Sequence, residues 1–356
     1  MTTSHPVEAA DTADAEWCFS AVQDVSRTFA LTVDILDSPM DEYICIGYLL
    51  CRIADTVEDA THIPPAEQVA ILDTYDAVLD PHDDTSIAAF HDAVRPWLPP
   101  EEERHADWRV VAEADIVVAT FHALPSSVRN EIREPVREMV HGMSAFVERY
   151  ADDGGIRIQT RDELEEYCYY VAGTVGTLVT NLLTRDDMPD ERGRILRQTA
   201  GSFGQLLQLV NVSKDVYDDY TEENNVYLPA EWLAAEGISQ EEIVDPENRD
   251  AAASVVSRTA RTARSYLDDA QTYIEAMPLR HGNTLAAWLA PYLLAVGTLR
   301  EIEAQPENAL TGADLKVSRE EVFAILAAAT AAQRETVETL RQRIAETPFH
   351  HSSGSH

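Results

Sequence analysis

Apolar residues recur every three or four positions through most of this chain, and this helical spacing is the feature that most limits its fold. Alternating apolar and polar runs bounded by Asn-Gly or Asp-Gly hairpin turns do not occur. Proline- and glycine-containing breaks separate segments of helix length, and no linker or repeat divides the chain. The sequence therefore predicts an all-α protein with one helical domain over residues 16–346. We expect residues 1–15 and 347–356 to be disordered ends.

Two apolar stretches, residues 167–184 and 284–299, raise the question of a membrane span because neither contains a charge. The first contains two glycines, an asparagine and several threonines, and the second is short and interrupted by Pro291. A membrane-crossing helix needs about 20 predominantly apolar residues. We therefore expect both stretches to be buried core helices.

The chain carries a large excess of acid, with 63 Asp and Glu against 27 Lys and Arg and a formal net charge of −36. Such a field repels nucleic acids and anionic lipid surfaces, so DNA and RNA partners are not expected. Only two of the basic residues are lysines, Lys214 and Lys316. An acid-rich, lysine-poor surface suits a salt-rich, halophilic cytoplasm, because carboxylates keep a protein hydrated when salt screens charge.

The cysteines and the first residues indicate the compartment. The four cysteines lie far apart or inside apolar runs, and no C-x-x-C pair occurs, as expected of buried, reduced thiols. The N-terminal residues lack the basic and apolar regions of a secretory signal. We therefore expect a cytoplasmic protein.

Two groups of three acids share the spacing i, i+3 and i+4, which puts three carboxylates on one face of a helix. The first carboxylate cluster is Asp55, Glu58 and Asp59, and the second carboxylate cluster is Asp215, Asp218 and Asp219. Each follows an uncharged apolar run, so its acids emerge from the core, where like charges repel one another. Because Mg²⁺ prefers oxygen ligands and often binds substrate phosphates, two such clusters facing each other predict a site for Mg²⁺ and a diphosphate.

The spacing alone is a weak signal, because a chain with an acid frequency of ~0.18 contains roughly two such windows by chance. A third window, within residues 162–166, follows Thr160 and is explained by an ordinary helix start, where acids favour the positive end of the helix dipole. A solvated acidic face is the alternative for the two clusters. Their position after apolar runs favours ligand binding.

Other polar residues lie near the two clusters. Tyr48 and Arg52 share the helix face of the first cluster, and Gln208 and Asn211 share that of the second. The two lysines also lie close to polar segments, since Lys214 directly precedes the second cluster and Lys316 begins residues 316–319 (KVSR). A mobile positive charge suits a phosphate.

Five stretches, in this order, are similar to the squalene/phytoene synthase family, and most of all to its squalene-forming members. They are residues 25–31 (VSRTFAL), 48–59 (YLLCRIADTVED), 167–173 (YCYYVAG), 208–219 (QLVNVSKDVYDD) and 226–229 (VYLP). Together they span most of the chain. The resemblance implies a helical bundle around a central apolar cavity, with the two carboxylate clusters facing each other at its mouth.

The resemblance also implies a reaction and its cofactors. Two farnesyl diphosphates would join head to head through presqualene diphosphate, and NADPH would reduce the product to squalene. Mg²⁺ and basic side chains would stabilise the departing diphosphate, and a dry cavity would shield the carbocations from water. The prenyl substrate and oily product imply transient contact with a membrane surface, without an integral membrane anchor.

The resemblance assigns the two clusters to metal binding, with Asp218 as an additional ligand. Arg27 and Arg52 match arginines that contact diphosphate, and Gln208 and Asn211 complete the polar surface for substrate. Lys214 stands where family members often have arginine, which keeps the charge but loses the bidentate geometry.

Aromatic and small residues match the cavity of the family. Tyr48 and Tyr167 match tyrosines near the reacting carbons, and Phe29 matches a cavity aromatic. Ordinary core packing is the alternative for each of these rings. The small residues at 172–176 would let a prenyl chain approach the backbone, or would let two helices pack closely.

Residues 316–326 resemble a C-terminal segment that contacts NADPH, with Lys316 and Arg319 as the cofactor-binding residues. Because no G-x-G-x-x-G follows a strand, recognition would depend on basic side chains that meet phosphates. The alternative is a helix start with Ser318 as N-cap and Glu321 as the third helical residue.

Three other functions stay open. A phytoene or dehydrosqualene synthase would use the same clusters without hydride transfer. A class I terpene cyclase is disfavoured because the second cluster lacks the usual Asn/Ser/Glu ligand pattern. A non-catalytic helical assembly factor is disfavoured because the acids of both clusters are intact.

Overall fold

The computed structural model describes residues 7–354 except positions 186, 187, 280 and 314, and excludes the side chains of residues 7–12, 27, 28 and 352–354. Within this part the chain forms α-helices joined by short turns, and it contains no β-strand apart from two isolated bridges. These bridges join Leu36 to Gly282 and Arg157 to Val226. The all-α prediction is confirmed.

The α-helices are labelled in chain order. They are α1 Val7–Val25, α2 Arg27–Asp34, α3 Met40–Glu58, α4 Pro65–Leu79, α5 Ile87–Val94, α6 Ala106–Ala112, α7 Ala114–Ala123, α8 Ser126–Arg149, α9 Arg161–Cys168, α10 Thr174–Thr184, α11 Asp190–Lys214, α12 Val216–Thr221, α13 Ala230–Ala235, α14 Arg249–Arg264, α15 Leu267–Ala276, α16 Thr284–Ala304, α17 Arg319–Ala331 and α18 Val337–Glu346. A π-helical turn, Tyr169–Gly173, joins α9 to α10, and the chain also has short 3₁₀ turns.

The structure describes helical turns near both ends of the predicted domain. Helix α1 begins at Val7, and its buried residues Cys18 and Val22 pack into the core. A 3₁₀ turn, Phe349–Gly354, follows α18. The domain boundaries at residues 16 and 346 stay predictions.

The long helices α3 and α11 position the two carboxylate clusters. Helix α3 packs against α1, α4, α6 and α8, whereas α11 packs against α10, α14, α15 and α16. Helix α10 contacts both α3 and α11, so it holds them on either side of itself. The clusters at their ends are therefore brought to one region of a single core.

Glycines set the spacing between α11 and the α9–α10 segment. A Cβ atom on Gly176 would overlap the carbonyl oxygen of Ala200, and one on Gly204 would overlap that of Ala172. The backbones therefore touch, which is possible only without a side chain. Close helix packing, one of the two alternatives for the small residues at 172–176, accounts for these positions.

Helix α16 is the one helix in the described part that is long and apolar enough to cross a membrane. Most of its apolar stretch is buried inside the protein, as predicted for residues 284–299. The other apolar stretch, residues 167–184, is divided among α9, the π turn and α10.

A buried ion pair fixes the last helices to the core. Arg300 of α16 donates to both carboxylate oxygens of Glu321 on α17, at 2.9 and 2.8 Å, and also to the carbonyl oxygen of Ile344 at 2.6 Å. The amide of Phe349 donates to Glu321 at 2.8 Å. Burial alone would raise the pKa of Glu321, but these hydrogen bonds and the charge of Arg300 hold it below its ordinary value.

We predict that Glu321→Gln lowers the free energy of unfolding by about 2 kcal/mol, because Arg300 loses its buried carboxylate partner and keeps only the more exposed Glu301. Urea unfolding monitored by circular dichroism measures this change. The control is Asp92→Asn, which breaks a pair with Arg95 whose side chains are 70% and 69% exposed. Its effect should stay below about 0.5 kcal/mol. Equal effects of the two substitutions would contradict the role given to the buried pair.

Candidate active site

The first carboxylate cluster lies at the C-terminal end of α3. The helix ends at Glu58, and Asp59 is its C-cap. The side-chain amide of Gln68 donates to the carbonyl oxygens of Val57 and Glu58, at 2.9 and 2.7 Å, and so satisfies the helix end. The negative end of a helix dipole does not favour carboxylates, so the helix dipole does not offset the negative charge of this cluster.

The second carboxylate cluster lies at a break between helices. Helix α11 ends at Lys214, Asp215 is its C-cap, and α12 begins at Val216. The prediction of one continuous helix face was therefore wrong in detail, although the amide of Asp219 still donates to the carbonyl oxygen of Asp215 at 2.9 Å. This cluster also sits at the negative end of a long helix.

The structure places acids of both clusters near Glu223. Burial raises the pKa of Glu58 well above its ordinary value, and the charges of Asp55 and of Glu223, which follows α12, raise it further. The pKa of Asp59 is raised in the same way, by burial and then by Asp55 and Glu223. The acids at the end of α3 and the acid after α12 therefore raise one another's pKa values within one site.

Glu223 is a site residue that sequence reasoning missed. It lies four residues after Asp219 and eight after Asp215, so the i+4 spacing of the second cluster extends to it. Asp218, predicted as an additional metal ligand, is exposed and lines a cavity with Lys214 and Tyr217. The charge of Asp55 raises the pKa of Glu223, so these two acids act on each other across the site.

Charge repulsion at the site is large. Burial, followed by the charges of Glu223 and Asp215, raises the pKa of Asp219 to about 9. Burial also raises the pKa of Glu223 to about 7, despite a hydrogen bond from Asn225 that lowers it. At neutral pH the folded protein therefore gains by binding protons or a cation at this site.

Two basic side chains offset part of this repulsion. Arg52 pairs with Asp55 and donates through Nε to Asp107 at 2.6 Å, and Lys214 pairs with Asp215. Asp107, on α6, was also missed, since no local pattern links residues that are 55 positions apart. These cations are fewer than the carboxylates around them.

The residues present fit a hard divalent cation. Within the described residues no three carboxylate, imidazole or thiol groups converge tightly enough to enclose a metal ion by themselves. Mg²⁺ often binds through one or two carboxylates, and substrate phosphates and waters supply the other ligands. The buried Glu58 and the partly buried Asp59, Asp219 and Glu223, all with raised pKa values, match this mode of binding.

Aromatic rings border the charged region on both sides. Phe29 stacks on Tyr48 with ring centroids 4.1 Å apart, next to Arg52 on the following turn of α3. Tyr167 stacks on Tyr227 at 4.9 Å and meets the edge of Phe146 at 5.1 Å. The predicted residues Phe29, Tyr48 and Tyr167 are therefore near the clusters, where core packing and cation stabilisation are compatible roles.

The two lysines of the chain line one cavity. Lys214 and Lys316 border a cavity of about 210 Å³ together with Asp215, Asp218 and Tyr217. The glycine at its rim, Gly312, has a φ of +64° and lies against the Tyr217 ring. No sequence pattern predicted that these two lysines would meet.

Arg319, predicted beside Lys316 as a cofactor residue, is not among the residues that line this cavity. It is exposed at the start of α17, where its guanidinium lies 5.7 Å above the ring of Phe323. Ser318 is the N-cap and accepts from the amide of Glu321 at 3.2 Å, as the helix-start alternative predicts.

The remaining predicted residues lie as follows. Gln208 is half-buried on α11 and Asn211 is exposed one turn before Asp215. Arg27 is the first residue of α2, and its side chain lies outside the described residues.

Comparison with known proteins points to one family. A sequence model described as squalene/phytoene synthase matches residues 22–321. The curated squalene synthase of Schizosaccharomyces pombe is 25% identical over 291 residues, which cover 82% of this chain and 60% of that protein. The chain therefore spans less than two thirds of the length of this relative.

Solved structures share the fold. A structure described as TcSQS with the ligand E5700 has a TM-score of 0.77 and 23% identity, and the alignment covers 93% of this chain and 91% of the other. A dehydrosqualene synthase in complex with a ligand has a TM-score of 0.63 and 21% identity, with 92% and 98% coverage. At these identities the likeness shows the helical fold.

We predict that Asp219→Asn stabilises the metal-free protein at pH 8 by about 2–5 °C in unfolding midpoint. A carboxyl with a raised pKa favours the folded state while it is protonated, and this contribution is lost as the pH rises from about 4 toward the folded-state pKa. The gain should therefore vanish near pH 4. Thermal unfolding in EDTA measures it, with the exposed loop variant Asp84→Asn as control. A destabilised Asp219→Asn at pH 8 would contradict the charge repulsion.

Proposed function

The chain belongs to the squalene/phytoene synthase family, and on this basis we propose that it joins two farnesyl diphosphates head to head through presqualene diphosphate and reduces the product to squalene with NADPH. The observation that carries the proposal is a group of buried or partly buried acids from both sides of the site whose pKa values are raised by burial and by neighbouring carboxylates. They are Glu58, Asp59, Asp219 and Glu223. Such a site favours a cation-bound diphosphate over an empty state.

The side chains supply binding for the charged end of the substrate. Asp55, Asp59 and Asp219 would hold Mg²⁺, and Glu58 and Glu223 add negative charge beside them. The ion, when bound, would supply positive charge for the departing diphosphate, and departure of the diphosphate is the difficult step in both halves of the reaction. Arg52 is held beside Asp55 and Asp107, so its charge is fixed at this end of the site.

The aromatic side chains serve the other end of the substrate. The stacked pairs Phe29–Tyr48 and Tyr167–Tyr227 present ring faces and edges next to the carboxylates. Ring faces attract cations, and apolar walls keep water from a carbocation. The predicted apolar cavity would continue from these rings into the helical core.

The lysine cavity supports a site for the phosphate groups of NADPH. At about 210 Å³ it can take a phosphate or diphosphate group but not a whole dinucleotide. Lys214 and Lys316 would supply the positive charge, with Lys214 next to Asp215. The nicotinamide, when bound, supplies hydride to the prenyl product.

The test is incubation of the purified protein with farnesyl diphosphate and Mg²⁺, with and without NADPH, followed by identification of the product. We expect squalene only when NADPH is present, and no product when EDTA replaces Mg²⁺. Failure to consume any prenyl diphosphate would overturn the proposal.

Two variants make this test specific. Asp55→Asn should lower turnover by about 100-fold or more, because it removes a carboxylate that would act on the departing charge. Asp162→Asn removes an exposed acid from the helix start of α9 and should leave turnover unchanged. Loss of activity in both variants would point to general charge effects instead of the proposed site.

A dehydrosqualene or phytoene synthase is the second candidate, because Arg319 lies outside the lysine cavity. This function would use the same carboxylates and need no hydride. Formation of a polyene without NADPH, and no change when it is added, would favour the second candidate.

We predict that Lys316→Ala raises the KM for NADPH about tenfold, because a charge-assisted contact to phosphate is lost. Consumption of farnesyl diphosphate in the absence of NADPH should not change. Steady-state kinetics with varied NADPH measure the effect, and Arg319→Ala is the matched comparison. A larger effect of Arg319→Ala than of Lys316→Ala would move the cofactor site to the start of α17.

A further inference from the structure

A chain of hydrogen bonds leads from Glu223, four residues after the second carboxylate cluster, to Glu58 of the first. The side-chain amide of Asn225 lies 3.4 Å from Glu223 and 3.1 Å from the Tyr227 hydroxyl. The Tyr227 hydroxyl lies 3.1 Å from that of Tyr167, which in turn lies 3.3 and 3.4 Å from the two oxygens of Glu58. Asn225, Tyr227, Tyr167 and Glu58 are each at most 7% exposed.

The direction of these hydrogen bonds follows from Asn225. Its side-chain oxygen accepts from the backbone amide of Ile156 at 2.8 Å, which fixes the orientation of the amide group. The nitrogen must therefore face Tyr227, and it donates to the Tyr227 oxygen. The Tyr227 hydroxyl is left to donate to Tyr167, and the Tyr167 hydroxyl then donates to Glu58.

The opposite order is disfavoured. If Tyr167 donated to Tyr227, the hydrogen of the Tyr227 hydroxyl would have no acceptor among the contacts of the described residues, and Glu58 would lose its donor. A buried polar hydrogen without a partner costs more than the hydrogen bond it gives up. The hydrogen bonds therefore have one favoured order of donors and acceptors, which runs from Asn225 to Glu58.

We propose that Tyr227 and Asn225 are positioning residues that fix the Tyr167 hydroxyl with its hydrogen directed at Glu58. The proposal rests on the proposed function in one respect, namely that Tyr167 lies next to the reacting carbons. These hydrogen bonds hold the Tyr167 oxygen and ring in a single orientation while the two carboxylate clusters receive the substrate. They also join residues on α3, α9 and the segment after α12, so these parts of the site keep fixed positions relative to one another.

Tyr227→Phe removes only the hydroxyl group that connects Asn225 to Tyr167 by hydrogen bonds. The ring stays large enough to keep its stack on Tyr167, and Asn225 keeps its hydrogen bonds with Ile156 and Glu223. Tyr75→Phe is the matched control, because it also removes a buried tyrosine hydrogen bond, to the carbonyl oxygen of Leu50 at 3.0 Å, outside the site.

The kinetic test is a double-mutant cycle between Tyr227→Phe and Tyr167→Phe. We expect Tyr227→Phe to lower kcat by about three- to tenfold with little change in the KM for farnesyl diphosphate, as for the loss of one orienting hydrogen bond. In the Tyr167→Phe background it should cause no further loss, because its effect acts through Tyr167. An equal loss in both backgrounds, or none in either, overturns the proposal. Tyr75→Phe should leave kcat unchanged.

A second measurement does not depend on turnover. In protein labelled at the ring carbon that bears the hydroxyl of tyrosine, the ¹³C resonance of Tyr167, assigned by its loss in Tyr167→Phe, reports the hydrogen bonds of its oxygen. It should shift in Tyr227→Phe and stay in place in Tyr75→Phe. A resonance that does not move in Tyr227→Phe overturns the proposal. If the wild type consumes no farnesyl diphosphate, the proposed function fails, and this measurement alone decides the role of Tyr227.

Discussion

Mutual repulsion of buried carboxylates is the constraint on which the site depends. The first cluster ends α3 and the second begins at the C-cap of α11, so both lie where the helix dipole is negative. Burial and repulsion together raise the pKa of Asp219 to about 9, and Arg52 and Lys214 offset only part of the charge. A fold that keeps such acids together is less stable for it, and the proposed cation and diphosphate would offset this cost.

Charged side chains and aromatic rings occupy different parts of the site. Charged groups lie at the helix ends, and stacked rings follow directly behind them on α2, α3 and α9. A prenyl diphosphate has the same division, with a highly charged head on an apolar chain. The lysine cavity lies on the outer side of Asp215, so a second phosphate-bearing molecule could be held without entering the space between the clusters.

Local spacing predicted the fold and the acids of both clusters, because a helix places residues three and four apart on one face. The same i+4 spacing extends from Asp219 to Glu223, which the prediction left out because it ended at Asp219. Features that depend on the distant chain could not be predicted this way. Asp107 contacts Arg52 across 55 positions, and the two lysines line one cavity although they lie far apart in the sequence. Asn225 and Tyr227 gain their roles only through Tyr167 and Ile156. The helix break at Asp215 was missed because apolar periodicity continues through it.

The contacts at Gly176 and Gly204 bear on how this enzyme family can vary. Because backbone meets backbone there, the offset between α11 and the α9–α10 segment does not depend on the size of any side chain. Core residues elsewhere can be exchanged for larger or smaller ones while the distance from Tyr167 to the second cluster stays constant. The placement of Tyr167 relative to the second carboxylate cluster is thereby insulated from sequence drift in the interior.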